Sequence, residues 1–533
     1  MKTKKHILLV SALLLFVAAC TNDNALQNDN EKEKEPAVQG TTFVGGLDLK
    51  ADNGTSTRTS LQMTWPGGTT VDYFWEMGDK IYTADGASGE AQITSRSATA
   101  LFKLNKMYTA ATVDVYYPGQ NATAYNQVTI AKEQTQTAPN STKHLGESGD
   151  CGVATAHKQP NGTYKFDLDH KASYLCLLPR TPNGLVSTYI TRVKITSDNN
   201  IAGTYTLTPT GLTGSGSSDS IVLTTPGTGT ALGPYNWFTH ALTTVPAPGF
   251  PLNNAATSQA TNAMYVVIAP GTHALTIEYT LHDTASDVKG TFTKTIASAA
   301  YAPNTVYPLT ANINPTDYTN TKQYMWDAQD HYWAGYESET PNPVLRMAKG
   351  THYPQSKAAD PTRWYNDAIS FPAPAIYTAA GCPNINECLW YAEKGEPIFD
   401  NQTLFSTTGH LWQYGIWFKK KANIPNYNPA VAPDGTNYIT SPVRADYLIN
   451  TLLPGKPTHP DDYFFLPILG DFTIGLRSGM MNYSDYWTSS SNPAGNNGYY
   501  LFIGGSDRNG WVEVKGRVTS DPFTVSGLLW SAQ

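Results

Sequence analysis

The stretch YKFDLDHKASYLCLL, Tyr164–Leu178, is β-rich along its length and alternates over its second half. Tyr174, Cys176 and Leu178 fall on one face of the strand it predicts, because successive side chains of a strand point to opposite sides. An Asn161-Gly162 turn precedes it, and the connector Pro179-Arg180-Thr181-Pro182-Asn183-Gly184 follows. The same pattern runs outward in both directions. Thr41–Leu49, Val113–Tyr117, Thr191–Thr196, Tyr265–Ile268 and Ala274–Leu281 are strand candidates. Turns at Asn53-Gly54, Pro66-Gly67-Gly68, Asp85-Gly86 and Pro226-Gly227-Thr228-Gly229 divide them. Helical periodicity is weak before residue 320. Short strands without alternating helices predict a mainly β chain of antiparallel sandwiches, one over residues 41–182 and a second over 183–315.

A chain of 533 residues has length for several domains with their own cores. Charged residues are 15% of it, against roughly 25% in ordinary soluble domains. Aromatic residues reach 11%, with 32 Tyr among them, which suits pleated and half-solvated surfaces. A net charge of −7 without a basic cluster argues against nucleic acid as a partner. Nine of the twelve Trp lie between Trp326 and Trp530. That shift marks residues 320–533 as a third part, a loop-rich α+β domain with helices predicted at Asn386–Glu393 and Arg444–Leu453.

At the N-terminus Lys2, Lys4 and Lys5 precede an apolar run, Ile7 to Phe16, that is too short to span a bilayer. Val17-Ala18-Ala19-Cys20 then resembles the bacterial lipobox. That resemblance implies a signal peptide over residues 1–19, acylation of Cys20 and a lipid anchor; Thr21 in place of Asp favours the outer membrane. The alternative is an ordinary secretory signal with an incidental Cys. Residues 20–40 are polar and read as a disordered tether. Four cysteines remain, and an exported setting permits two bridges. Cys382 and Cys388, with Pro383 between them, are expected to pair. Cys151 and Cys176 form either a second bridge or buried free thiols.

No Gly-x-Ser-x-Gly elbow, His-Glu-x-x-His, phosphate-binding loop or Cys-x-x-Cys occurs. The chain is expected to be no enzyme and to carry no cofactor and no metal. Asp461-Asp462 beside Pro460 reads as a turn. In the last third Trp390, Trp417 and Trp487 read as core. Trp412, Trp511 and the Tyr499-Tyr500 pair are the candidates to stack on a sugar or anchor a protein receptor.

Seven residue groups in order across the first two parts resemble the fimbrillins, the subunits of type V pili. They are Arg58-Thr59-Ser60, Trp75-x-x-Gly78-Asp79-x-Ile81, Tyr116-Tyr117-Pro118, Gln134-Thr135-Gln136 ahead of Asp150, His170-Lys171-x-x-x-Leu175, Ile195 through Gly203, and Tyr301-x-Pro303-x-x-x-Tyr307-x-Leu309. The resemblance implies two transthyretin-like β-sandwiches. It also implies an exported lipoprotein precursor, proteolytic loss of the first strand, and replacement of that strand by one from the next subunit. Arg58, in a polar Gly-bearing stretch, is the expected cleavage residue and Thr59 the expected new N-terminus. Lys50, closing the first strand, is expected to be held in the sheet.

The last third resembles C-type-lectin-like domains through Trp326-Asp327-Ala328, Cys382-Pro383-Asn384-x-Asn386-Glu387, Trp390-Tyr391, Gly415-x-Trp417-Phe418-Lys419-Lys420, Tyr463 through Pro467 and Tyr486 through Ser490. No Glu-Pro-Asn, Gln-Pro-Asp or Trp-Asn-Asp tripeptide accompanies them, so the calcium-and-sugar site of true C-type lectins is not supported. Together these likenesses imply a minor or tip pilus subunit at the cell surface. Its partners are other fimbrillin subunits and, through the cap, a glycan or protein receptor. The alternative is a stationary outer-membrane lipoprotein that binds glycans and keeps residues 20–58.

The anchor is directly testable. Cys20→Ala should abolish palmitate labelling and release the chain from membranes; a labelled, membrane-bound variant would refute the anchor.

Overall fold

The computed structural model describes residues 40–46, 60–62, 72–367, 373–441, 447–492, 497–516, 527, 528 and 530. Strands dominate it. Among the described residues no helix is long and apolar enough to cross a membrane.

The first core lies under an eight-stranded sheet. Its strand path is Ser88–Glu90, Lys80–Tyr82, Thr112–Tyr117, Gly152–Lys158, Tyr164–Phe166, Thr41–Gly45 and Ala100–Leu104, with Asp169–His170 paired off the path. Phe43, Trp75, Phe102, Tyr117 and Tyr164 fill the core and are shut off from solvent. The second core gathers three sheets. One is Met264–Ile268, Ser173–Arg180 and Thr305–Asn312; another runs Val288–Tyr301, Gly271–Asp283, Thr188–Ser197, Ser220–Thr224 and Glu133–Thr135; the third is Gly211–Thr213, Gly203–Thr208 and Gln127–Ile130.

The expected boundary at residue 182 does not divide these cores. Gln127–Ile130, Glu133–Thr135 and Ser173–Arg180 precede it, yet all three pair with strands that follow it. The chain leaves the first core after Tyr117, returns with Gly152–Lys158, and leaves again beyond His170. Tyr164–Leu178 is accordingly three strands rather than one, and it crosses from one core to the other. Tyr164–Phe166 buries one face, whereas Ser173–Arg180 buries both, with Leu175 and Leu177 as covered as Tyr174, Cys176 and Leu178. What fixes the crossing is buried: Asp150 Oδ1 lies 2.8 Å from His170 Nδ1 and accepts from the Tyr174 hydroxyl, and the Tyr73 ring stacks on His170 at 3.9 Å.

Gln134 and Gln136 close an edge of the second core. Gln134 Nε2 donates to Val267 O at 2.8 Å, and its Oε1 accepts from Val267 N at 3.0 Å. Gln136 repeats this on Ala263 O at 2.9 Å and Tyr265 N at 2.8 Å. Two carboxamides thus stand in for a strand along Met264–Ile268, leaving those backbone groups satisfied.

In the last third a six-stranded sheet runs Gln323–Tyr324, Gly527–Leu528, Tyr483–Asn492, Asn497–Gly505, Gly510–Gly516 and Tyr447–Leu452. The helix Ile385–Lys394 stands where the sequence places it, started by an Asn384/Glu387 capping box. The second expected helix is not formed: Tyr447–Leu452 is a strand, with Tyr447 opposite Val514 and Ile449 opposite Val512. Pairing with Gly510–Gly516 overrides its local periodicity. The bridge expected between Cys382 and Cys388 is not formed, and of the two readings of Cys151 and Cys176 the free thiols hold: all four are buried and unbridged. Between Cys382 and Cys388 the capping box commits the backbone, with Cys388 N–H already bonded to Asn384 O at 3.0 Å. Cys176 packs in the sheet beside Tyr265, where burial pushes its thiol up to about 12.

Asp283 joins the last third to the second core. It is buried, and Oδ1 accepts from Ser187 Oγ at 2.8 Å while Oδ2 accepts from Thr188 Oγ1 at 2.8 Å and Leu411 N at 3.1 Å. His410 Nδ1 sits 3.5 Å from Oδ1 and 2.8 Å from Ser187 Oγ. Burial raises the Asp283 carboxyl, but the bond to and charge of His410, with the two hydroxyls, outweigh it and hold the pKa below 3.8. A depressed carboxyl adds stability that is complete above its ordinary value and is lost as pH falls through the lower folded value. Asp283→Asn should therefore cost about 3–5 kcal/mol in urea unfolding at neutral pH. It should also flatten the loss of stability below about pH 4. An unchanged acid limb would show that the joint does not depend on this charge.

Candidate functional site

Arg58 and Thr59, the expected processing site, and Cys20 lie outside the described residues. The strand that cleavage after Arg58 would free is described, and its position is informative. Thr41–Gly45 is an interior strand. It runs parallel to Tyr164–Phe166, with Phe43 opposite Tyr164, and antiparallel to Ala100–Leu104, with Phe43 opposite Phe102. Thr41, Phe43 and Gly45 face inward and Thr42 and Val44 are half-covered, the alternation of a sheet with one buried face.

The slot beneath this strand is aromatic. Phe43 stacks on Tyr164 at 4.9 Å and meets Tyr108 edge-on at 5.8 Å. Trp75 forms the floor, against Phe102 at 4.8 Å and Phe166 at 6.1 Å. Gly45 lies directly over Trp75. A Cβ there would come within 2.7 Å of the indole and 2.9 Å of the Phe166 ring, so no side chain fits. The chain then bends at Gly46, whose φ of +100° suits glycine. The described strand is Thr41–Gly45, and Leu47, Leu49 and Lys50 lie outside the described residues.

The motif Trp75-x-x-Gly78-Asp79 and Tyr117 build that floor, while Tyr116 packs in the second core. Asp79 is buried and accepts from Glu76 N at 2.8 Å, Tyr117 Oη at 2.8 Å and Gln120 Nε2 at 2.9 Å. Those bonds clamp the turn that carries Trp75. At the open end Tyr108 N donates to Thr41 Oγ1 at 2.9 Å, and the Tyr108 hydroxyl donates to Asp85 at 2.8 Å. Lys106, 2.7 Å from Asp85, holds that carboxyl well below the usual range. Tyr108, Phe102 and Phe166 belong to no motif; Phe102 and Phe166 sit on alternating strands, and Tyr108 lies outside any strand.

Trp412, Tyr499 and Tyr500 are buried in the last third, and Trp511 is partly covered against Gly504. Trp390 and Trp487 are core as expected, while Trp417 is half-buried with Nε1 bonded to Asp400 at 2.8 Å. Trp412, Tyr499 and Tyr500 thus serve packing, and Trp511 is half-buried. Among the described residues no cluster of His, Cys, Asp and Glu is arranged to hold a metal ion.

No family model and no curated protein matches the chain. Twelve chains of solved structure do. One is described as a "putative cell adhesion protein" from Bacteroides ovatus, at 12% identity and a TM-score of 0.32, covering 52% of this chain and 93% of that one. Another so described, from Bacteroides uniformis, is 14% identical with a TM-score of 0.26, covering 51% and 94%. At these scores the likeness assigns nothing to this chain.

Phe43→Ala should destabilise the uncut chain by about 3–5 kcal/mol in urea unfolding. The same substitution should have no effect in material that has lost residues up to 58. Equal stability of native and variant uncut chains would mean the strand is not part of the folded core.

Proposed function

We infer that this chain is a structural, non-enzymatic adhesive subunit of a cell-surface pilus, joined to its neighbour by strand exchange after loss of its first strand. One observation carries the reading: the strand ahead of Arg58 is the interior strand of its sheet, so its loss opens two edges at once. Edges of that kind recruit another strand, since main-chain hydrogen bonds give affinity and alternate side chains give register. The slot also sets terms for the strand it takes. An aromatic side chain must fall where Phe43 sits, and a glycine two residues on must pass over Trp75.

The fimbrillin-like motifs support the same reading, because Trp75, Asp79 and Tyr117 line or brace this slot. The last third supports a place at the pilus end. It follows the second core where a stalk subunit would carry a donor strand, and the Asp283 joint fixes it there. Its partners are then other fimbrillin subunits on one side and a receptor on the other. The membrane enters through the acylated Cys20 of the precursor.

N-terminal sequencing of pili from the native host should give Thr59, and Arg58→Ala should prevent incorporation. Polymer chains that begin at acylated Cys20, or normal incorporation of the variant, would overturn strand exchange and leave the stationary glycan-binding lipoprotein.

A further inference from the structure

A cavity of about 360 Å³ opens in the last third, between residues 318–323, the 331–342 segment, Thr407 and Thr408, and the Leu469–Met480 hairpin. No sequence motif points to it. Three basic side chains line it, Lys322, His331 and Arg477, against one acidic side chain, Glu337. Glu337 is already engaged: its Oε1 lies 3.2 Å from His331 Nε2 and accepts from Gly335 N at 3.3 Å. Backbone hydrogen bonds, then His331 and Lys322, hold its carboxyl below the ordinary value.

Arg477 is different. Its guanidinium lies 5.5 Å over the Phe472 ring, Nη2 donates to Leu469 O at 3.3 Å, and Nε is sealed from solvent without an acceptor. Burial alone lowers its pKa, to about 10, and no carboxylate offsets that loss. A half-buried cation with its Nε sealed off and no ion-pair partner among the described residues is costly to hold, and the planar fork of arginine matches a carboxylate. The inner wall is aromatic, Trp333 standing at 87° to Phe472 with ring centroids 5.6 Å apart. Asn320, Thr340, Asn342 and Thr408 put amides and hydroxyls on the rim, able both to donate and to accept. One charge-matching group inside and a polyhydroxy-compatible rim outside describe a single ligand class.

We propose that this cavity binds a carboxylated saccharide, its carboxylate on Arg477 and its hydroxyls on the rim. The site is separate from the strand slot and stands whether the chain is a pilus subunit or a stationary binder.

The test is calorimetric titration of the full chain with N-acetylneuraminic acid, galacturonic acid and galactose. At least one of the two acids should bind saturably in the millimolar range or tighter, and galactose should not. Arg477→Met, which keeps a side chain on Phe472, should weaken binding about tenfold to a hundredfold with an unlowered melting temperature. Lys322→Glu, at an exposed position, should weaken it several-fold and serves if Arg477→Met does not fold. Absence of saturable binding to both acids overturns the proposal. So does equal binding of galactose, unchanged affinity in a folded Arg477→Met or in Lys322→Glu, or capture of a peptide carboxylate in place of the sugar acids.

Discussion

Asp283 is where two parts of the molecule become one. Removing a carboxylate from water costs several kcal/mol, and the cost is offset only when every donor is in place. Here the donors come from both sides: Ser187 and Thr188 from the second core, His410 and the Leu411 amide from the last third. Tilting the last third would strand the charge. The surrounding contacts run the same way, with Leu411 packed in the second core, Val186 N bonded to Gly409 O at 3.0 Å, and Asn183 Nδ2 bonded to Ser406 Oγ at 2.8 Å. A flexible linker is the default between domains; this joint replaces it with an all-or-none contact.

The far end of the chain is held in the opposite way. An unpaired sheet edge is a hazard, and this molecule deals with it by two devices. Along Met264–Ile268 the Gln134 and Gln136 carboxamides satisfy the backbone from within the fold. Under the first strand the two neighbouring edges are satisfied by main chain, from Thr41–Gly45 itself. Side chains rooted in a folded core cannot be removed without unfolding it. The first strand is fitted as closely by its own backbone, with no room for a Cβ between Gly45 and Trp75.

Much of this is written in the sequence, unevenly. Gln127–Ile130, Thr188–Ser197 and Gly271–Asp283 follow alternation, and Trp75, Asp79, Gln134, Gln136 and His170 prove to be the residues that clamp, cap or pin. What alternation cannot give is which sheet a strand joins. Tyr164–Leu178 reads as one run because its strands follow one another within a few residues, although Tyr164–Phe166 buries one face and Ser173–Arg180 buries both. Residues 447–452 read as helix because their partner, Gly510–Gly516, is sixty residues away. The bridge expected of Cys382 and Cys388 came from compartment and count, which say nothing of how a capping box orients the chain. Arg477 left no trace: its meaning lies in the carboxylate that is missing beside it, and a single sequence does not display an absent neighbour.

The joint and the cavity share one hairpin. Phe405–Thr407 and His410–Trp412 pair through a two-residue turn, Thr408-Gly409, with φ of +54° and +80°. Positive φ at both positions is the geometry of a type I′ turn, which matches the twist of the strands it connects. A β-branched residue adopts it at a cost, so the turn must be held from outside. Thr319 Oγ1 accepts from Thr408 N at 3.0 Å, and Gly409 O accepts from Val186 N at 3.0 Å. One bond comes from the cavity wall and the other from the second core. Thr407 and Thr408 therefore reach the cavity from the same turn whose next residues, His410 and Leu411, close on Asp283. The rim is set when the joint forms, before any ligand arrives, so the cost of ordering it falls on folding and not on binding. A pull on anything held at Thr408 reaches the second core through two residues of strand, with no loop between to give way.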